Sequence, residues 1–164
     1  MIRFTGFAMT FEEVPDEVSM CFTLSNCPFR CPGCHSPELQ QDTGSSLSAY
    51  LCPTLDLYKG RATCVCFLGD GKAEDADELL NLFRICRERG FKVAHYSGMT
   101  GMQYSVVHGD DDFKPDYVKV GPYIAERGGL SNPGTNQRMY QYDHDTKQYK
   151  DITYKFWNRY QEIK

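Results

Sequence analysis

Residues 26–38 read NCPFRCPGCHSPE and set Cys27, Cys31 and Cys34 in the pattern C-x3-C-x2-C. Thiols at this spacing are open to several kinds of chemistry. Three unrelated free thiols so close together would invite oxidation. A structural zinc site accepts thiolates but is closed by four ligands. Adjacent Cys34 and His35 are poorly placed to share one ion, so the fourth would have to come from His95, His108 or Cys66. The pair Cys31-Pro-Gly-Cys34 has the C-x-x-C spacing of a thiol–disulfide exchange site. That reading gives Cys27 no role, and it expects an amphipathic helix at the second cysteine, where HSPELQQDTGSS is polar and broken. A cubane iron–sulfur cluster held by three thiolates leaves one iron without a protein ligand, open to a substrate or cofactor as a catalytic zinc is open to water.

The elements around this segment must hold it at a strand end. Residues 18–24 (VSMCFTL) are rich in strand formers and run directly into it. Pro28, Pro32, Pro37 and Gly33 keep it extended and curling rather than helical, because each proline removes a donor and restricts its predecessor. Residues 63–68 (TCVCFL) read as a buried strand ending at Gly69-Asp70-Gly71. Residues 74–89 carry apolar side chains at helical spacing and close at Gly90. Residues 91–96 (FKVAHY) form a strand ending at Ser97-Gly98, and 117–120 (YVKV) another ending at Gly121-Pro122. A short helix is expected within 46–58, with Pro53 tolerated only near its first turn. Residues 137–142 and 149–153 flank a turn at Asp143-His144-Asp145 as a terminal hairpin, and 154–164 form a short helix or tail. The alternation of strand and connection predicts an α/β fold with right-handed crossovers, in which ligands gather at the carboxyl ends of the parallel strands.

The chain of 164 residues fits a single domain over 1–164, large enough to bury roughly 70% of its unfolded surface. Its net charge of −4, with Lys and Arg scattered, lacks the footprint of a nucleic-acid binder. No apolar run is long enough to span a membrane, and the N-terminus lacks the pattern of a signal peptide, so a soluble cytoplasmic protein is expected. In that reducing setting the eight cysteines are expected as ligands, redox groups or core residues rather than a disulfide framework. Cys64 and Cys66, two apart on one strand, are expected in the core, and Cys21, Cys52 and Cys86 in core or ordinary surface positions.

The C-x3-C-x2-C triad is the signature of the radical S-adenosylmethionine (SAM) enzymes, and the chain resembles one branch, the activating proteins of anaerobic ribonucleoside-triphosphate reductase. The likeness rests on NCPFRCPGCHSPEL, TCVCFLGDG, HYSG, DYVKVGPYI and TNQRMY, in that order through most of the chain. It implies a compact, incomplete (β/α) barrel with a mostly parallel sheet, the cluster loop after the first core strand and an open lateral face for docking. It implies a [4Fe-4S] cluster on Cys27, Cys31 and Cys34, with backbone N–H groups near the sulfurs, and SAM chelating the open iron. Reductive cleavage of SAM would then supply a radical that takes hydrogen from a glycine of the reductase large subunit. A reduced flavodoxin-like protein is implied as electron donor. The resemblance also implies that His35 lines the adenine, unless it is a solvent-facing loop residue. It places Gly69 and Asp70 at the methionine amino group, although the acid stands one residue from its usual place and could point outward. Ser97 and Gly98 would approach SAM, and Lys119 and Gly121 would lie beside the adenosyl group, unless Lys119 is a solvated strand residue. Asn136, Gln137 and Arg138 match a motif without an assigned role. The alternatives are an activase of another glycyl-radical enzyme and a non-catalytic zinc-binding interaction module.

Overall fold

The protein is described here from a computed structural model, over residues 1–157. Eight strands among these residues form one sheet: β1 (Arg3–Thr10), β2 (Ser19–Leu24), β3 (Ser45–Ser46), β4 (Cys64–Leu68), β5 (Lys92–Tyr96), β6 (Tyr117–Val120), β7 (Arg138–Asp143) and β8 (Gln148–Asp151). They run in the order β3-β1-β2-β4-β5-β6-β7-β8. Helices α1 (Leu47–Leu57), α2 (Ala76–Glu88) and α3 (Gly101–His108) follow β3, β4 and β5 in the chain.

The α/β class holds, and the expectation of a mostly parallel sheet does not. Only β2, β4, β5 and β6 pair in parallel. The β1–β2, β1–β3, β6–β7 and β7–β8 pairings are antiparallel. For β7–β8 the reason is a short connection, residues 144–147, since a hairpin returns the chain alongside itself whereas parallel neighbours need a longer crossover. The sheet is open, with β3 at one edge and β8 at the other.

On one face Met20, Phe22, Leu24, Val65, Phe67 and Val93 meet Leu51 and Leu55 of α1 and Leu79, Leu82 and Phe83 of α2. The rings of Phe67 and Phe83 lie 4.9 Å apart. On the other face Cys21, Cys64, Cys66, Ala94, Tyr117 and Met139 pack with Val14, Ile152 and Phe156. The two alternating strand cysteines are thus core residues, and burial pushes both thiols well up.

Three local expectations are revised. Pro53 sits in the middle of α1 rather than its first turn. Its side is solvent-facing, where the carbonyl it fails to bond can meet water. Strand β1 was not anticipated, nor was α3, which buries only Tyr104 and so has no apolar periodicity to betray it. What starts α3 is a capping box: Thr100 Oγ1 accepts from the Gln103 N–H, and the Gln103 side chain accepts from the Thr100 N–H. The C-terminal stretch forms a 3-10 turn at Thr153–Phe156, and the rest of the expected helix or tail, 158–164, lies outside the described residues.

Candidate functional site

The register of the parallel strands decides what meets at their carboxyl ends. Thr23 lies beside Leu68, Leu68 beside Tyr96, and Tyr96 beside Lys119. The residues just beyond this row are therefore neighbours in space: the cysteine loop after β2, Gly69-Asp70 after β4, Ser97-Gly98 after β5 and Gly121 after β6. The ends are stitched together by Gly69 N–H donating to the Tyr96 carbonyl at 2.9 Å and Ser97 N–H donating to the Lys119 carbonyl at 2.8 Å.

The loop over residues 26–36 has no helix or strand, only a turn at Pro32-Gly33, and a 3-10 turn with Pro37 in its first position follows. Its base is pinned by Cys27 N–H donating to the Leu39 carbonyl and Asn26 N–H to that of Gln41. Cys27, Cys31 and Cys34 are half-buried and free. Ser36 N–H donates to Cys34 Sγ at 3.4 Å, the kind of amide–sulfur contact that stabilises a thiolate. Burial pushes the Cys27 thiol up, a backbone hydrogen bond from Phe29 opposes it, and the negative charges of Asp70, Cys31 and Cys34 add to the rise. Among the described residues no three His, Cys, Asp or Glu side chains are gathered to hold a metal ion. The thiols share a loop without being drawn together.

Phe29 fastens this loop to the strand ends. A β-carbon on Gly98 would stand 2.5 Å from the Phe29 ring, so the ring lies where only glycine leaves room. On the other side, the His35 ring is 4.7 Å from that of Tyr123, and Gly33 approaches Ala125. His35 itself is exposed.

Asp70 turns inward and is 9% exposed. Its Oδ2 accepts from the Gly98 N–H at 3.0 Å, while Oδ1 is buried without a hydrogen-bond partner. The nearest cationic candidate, His95 Nε2, is 3.6 Å from Oδ1 and is engaged with the Gly69 carbonyl at 3.1 Å. Leaving a polar atom buried and unpaired costs about 1–3 kcal/mol, and more when it carries charge, as a carboxylate oxygen does. Such an atom is a natural place for a ligand's N–H.

Lys119 is not a solvated strand residue. Its ammonium donates to the Gly121 carbonyl at 2.9 Å and, more weakly, to that of Ser97 at 3.4 Å. Burial brings it down to about 8, opposed by the negative charges of Asp70, Cys31 and Cys27. It is therefore the cation facing both the loop thiols and Asp70. Gly121, at φ +106, lies in the left-handed region, and a β-carbon there would press tightly on Asn136 and Gln137. Asn136 Nδ2 donates to the Pro122 carbonyl at 2.9 Å, and Arg138 faces Asp151 across the β7–β8 hairpin at 3.9 Å. Asn136 and Gln137 thus brace the turn after β6, and Arg138 reaches away from it.

The remote ligands that zinc would need are committed elsewhere. Both His95 ring nitrogens are hydrogen-bonded, His108 Nδ1 pairs with Asp111 at 2.8 Å, and Cys66 is wholly buried in the sheet. A hollow of about 410 Å³ opens beside Cys27, bordered by Asn26, Arg30, Gln40, Lys72 and Glu74. The larger hollow, about 460 Å³, lies between α3 and β6–β8 and does not reach the cysteines. The loop and strand ends carry the reactive groups, so they define the site despite its smaller hollow. Sequence reasoning did not single out Phe29, Tyr104 or Tyr123. His95 entered it as a possible zinc ligand and as the first residue of HYSG, with no role assigned, although its period-two spacing from Val93 marks it as facing the same side of β5.

Compared with protein-family models, curated proteins and solved structures, the chain matches none. Among the described residues no helix is long and apolar enough to cross a membrane.

Proposed function

We propose that the protein is a radical SAM activating enzyme that generates a glycyl radical on anaerobic ribonucleoside-triphosphate reductase. The observation that carries the reading is that the loop bearing three free thiols leaves β2 beside the end of β4, where a buried Asp70 oxygen lacks a donor. An open sheet whose four central strands run parallel is compatible with an incomplete barrel built around such a site. The donor set suits a [4Fe-4S] cluster with one open iron, since the loop offers three thiols and His95, His108 and Cys66 are committed elsewhere.

When bound, the cluster would supply the electron that cleaves SAM and so the radical that takes hydrogen from the partner's glycine. The chain's own part is to hold and orient. Cys27, Cys31 and Cys34 would ligate as thiolates, so loading releases protons, which the raised pKa of Cys27 resists. Asp70 Oδ1 would accept from the α-ammonium of SAM in a charge-assisted hydrogen bond. Lys119, with its pKa brought down to about 8, sets a positive charge opposite the thiolates and Asp70 at neutral pH. Gly98 leaves room for the Phe29 ring that fastens the loop to the strand ends, and His35, whose ring meets Tyr123, would line the adenine. Ser97 and Gly69 contribute backbone at the strand ends.

Anaerobic reconstitution with iron and sulfide, followed by electron paramagnetic resonance of the reduced protein with and without SAM, tests this. The expected result is a [4Fe-4S] signal that changes on SAM addition and is lost in Cys31→Ala. A full cluster in Cys31→Ala, or a spectrum indifferent to SAM, would overturn it. Incubation with the reductase should then give a glycyl-radical signal on the large subunit.

A further inference from the structure

A buried chain of hydrogen bonds crosses from α3 to the strand end beside Asp70. His95 is wholly buried, with Nδ1 3.0 Å from the Tyr104 hydroxyl and Nε2 3.1 Å from the Gly69 carbonyl. A carbonyl oxygen can only accept, so Nε2 carries the proton. Burial holds the imidazole neutral by lowering its pKa from the usual value, so Nδ1 is a bare acceptor and Tyr104 O–H donates to it. With its one proton spent on Gly69, His95 has none for Asp70 Oδ1 at 3.6 Å.

We infer that His95 and Tyr104 are positioning residues: Tyr104 fixes the Nε2–H tautomer of His95, and that tautomer reserves Asp70 Oδ1 for the ammonium of the bound ligand. This rests on the SAM reading above for the identity of the ligand. Other groups facing His95 do not supply the missing donor. Phe83 of α2 is apolar, the His108 ring of α3 stands 6.0 Å away and is paired with Asp111, and the Lys119 ammonium is held by backbone carbonyls. Protonation of His95 would change the arrangement. The imidazolium would need Tyr104 as an acceptor and would put a full positive charge beside Asp70, competing with the ligand's ammonium. Removing the Tyr104 hydroxyl takes away the hydrogen bond that favours the neutral ring and so makes protonation easier.

Two measurements test this. The first is the tautomer in the cluster-free protein, read from ¹⁵N–¹H couplings of the imidazole side chains at neutral pH. The expected His95 pattern is protonated Nε2 and bare Nδ1; an Nδ1–H or doubly protonated ring overturns the inference. The second is SAM affinity by anaerobic calorimetry from pH 5 to 8 on the reconstituted protein. Binding should weaken on the acid side, and Tyr104→Phe should move that midpoint upward by about one pH unit, the value of one hydrogen bond to the neutral form. His95→Gln, which can donate to Gly69 but cannot charge, should lose the His95-linked part of the acid limb. A midpoint that Tyr104→Phe leaves in place overturns the relay while SAM binding stands. Absence of SAM binding at every pH, with the expected tautomer present, instead overturns the cofactor reading on which the ligand's identity rests.

Discussion

Replacing Asp70 by Asn is the most informative perturbation of the site because it changes one charge and almost no volume. In the native chain Oδ2 accepts from Gly98 N–H and Oδ1 is free. Asparagine keeps an oxygen for Gly98 and puts an NH₂ group where Oδ1 stood. That donor would face the incoming ammonium, and the negative charge that attracts it would be gone. A charge-assisted hydrogen bond in a buried setting contributes about 1.5–3 kcal/mol, so SAM affinity should fall about 10- to 150-fold. Folding stability should change by about 1 kcal/mol or less, because the Gly98 bond survives and an unpaired charged acceptor is exchanged for an unpaired neutral NH₂ group. Anaerobic calorimetry on the reconstituted protein measures the affinity, and the same titration with a SAM analogue lacking the α-amino group completes a thermodynamic cycle. The analogue should bind native and Asp70→Asn proteins alike. Equal SAM affinity in the two proteins, or an equal loss for the analogue, would refute the assignment of Asp70 to the amino group.

Other consequences follow from the packing and charges around the site. Gly98→Ala puts a methyl group 2.5 Å from the Phe29 ring, so denaturant unfolding should show a loss of about 1–3 kcal/mol, with reduced iron incorporation as the loop is pushed away. Phe29→Ala in the same chain should recover part of that loss, since it removes the clash. Cys64→Ala should lower stability as a core truncation yet leave iron and sulfide content unchanged, whereas Cys34→Ala should abolish cluster formation with little change in the apoprotein's stability. Asp143 accepts from Lys150 and from the Asp145 and Thr146 N–H groups, with Lys150 the largest cause of a carboxyl pKa held down at about 2. Its folded-state pKa is depressed, so its contribution to the β7–β8 turn is present at neutral pH and lost as the pH falls from about 4 toward 2. Asp143→Asn should flatten that part of the acid unfolding curve.

Local order carried much of the outline. The cysteine triad, the four parallel strands and α2 were legible because each is written in neighbouring residues: thiol spacing, buried strand runs punctuated by Gly, and helical apolar periodicity. The hairpin after Tyr142 was legible from its turn residues. Strand β1 and helix α3 were not, because β1 has little full burial and α3 depends on one buried tyrosine and a cap rather than an apolar stripe. The balance of parallel and antiparallel pairing also escaped, since pairing belongs to two segments at once.

By itself, the sequence determined which groups are available: three thiols on a loop that prolines keep out of a helix, an acid one residue from its expected place, and a lysine near a strand end. The tertiary structure decided what those groups face. Parallel register aligned the ends of β2, β4, β5 and β6. That alignment turned Asp70 inward onto Gly98, drew the Lys119 ammonium onto backbone carbonyls and set His95 between Tyr104 and Gly69. A side chain's chemistry is written in its own residue, but its desolvation and its hydrogen-bond partners come from strands far away in the chain.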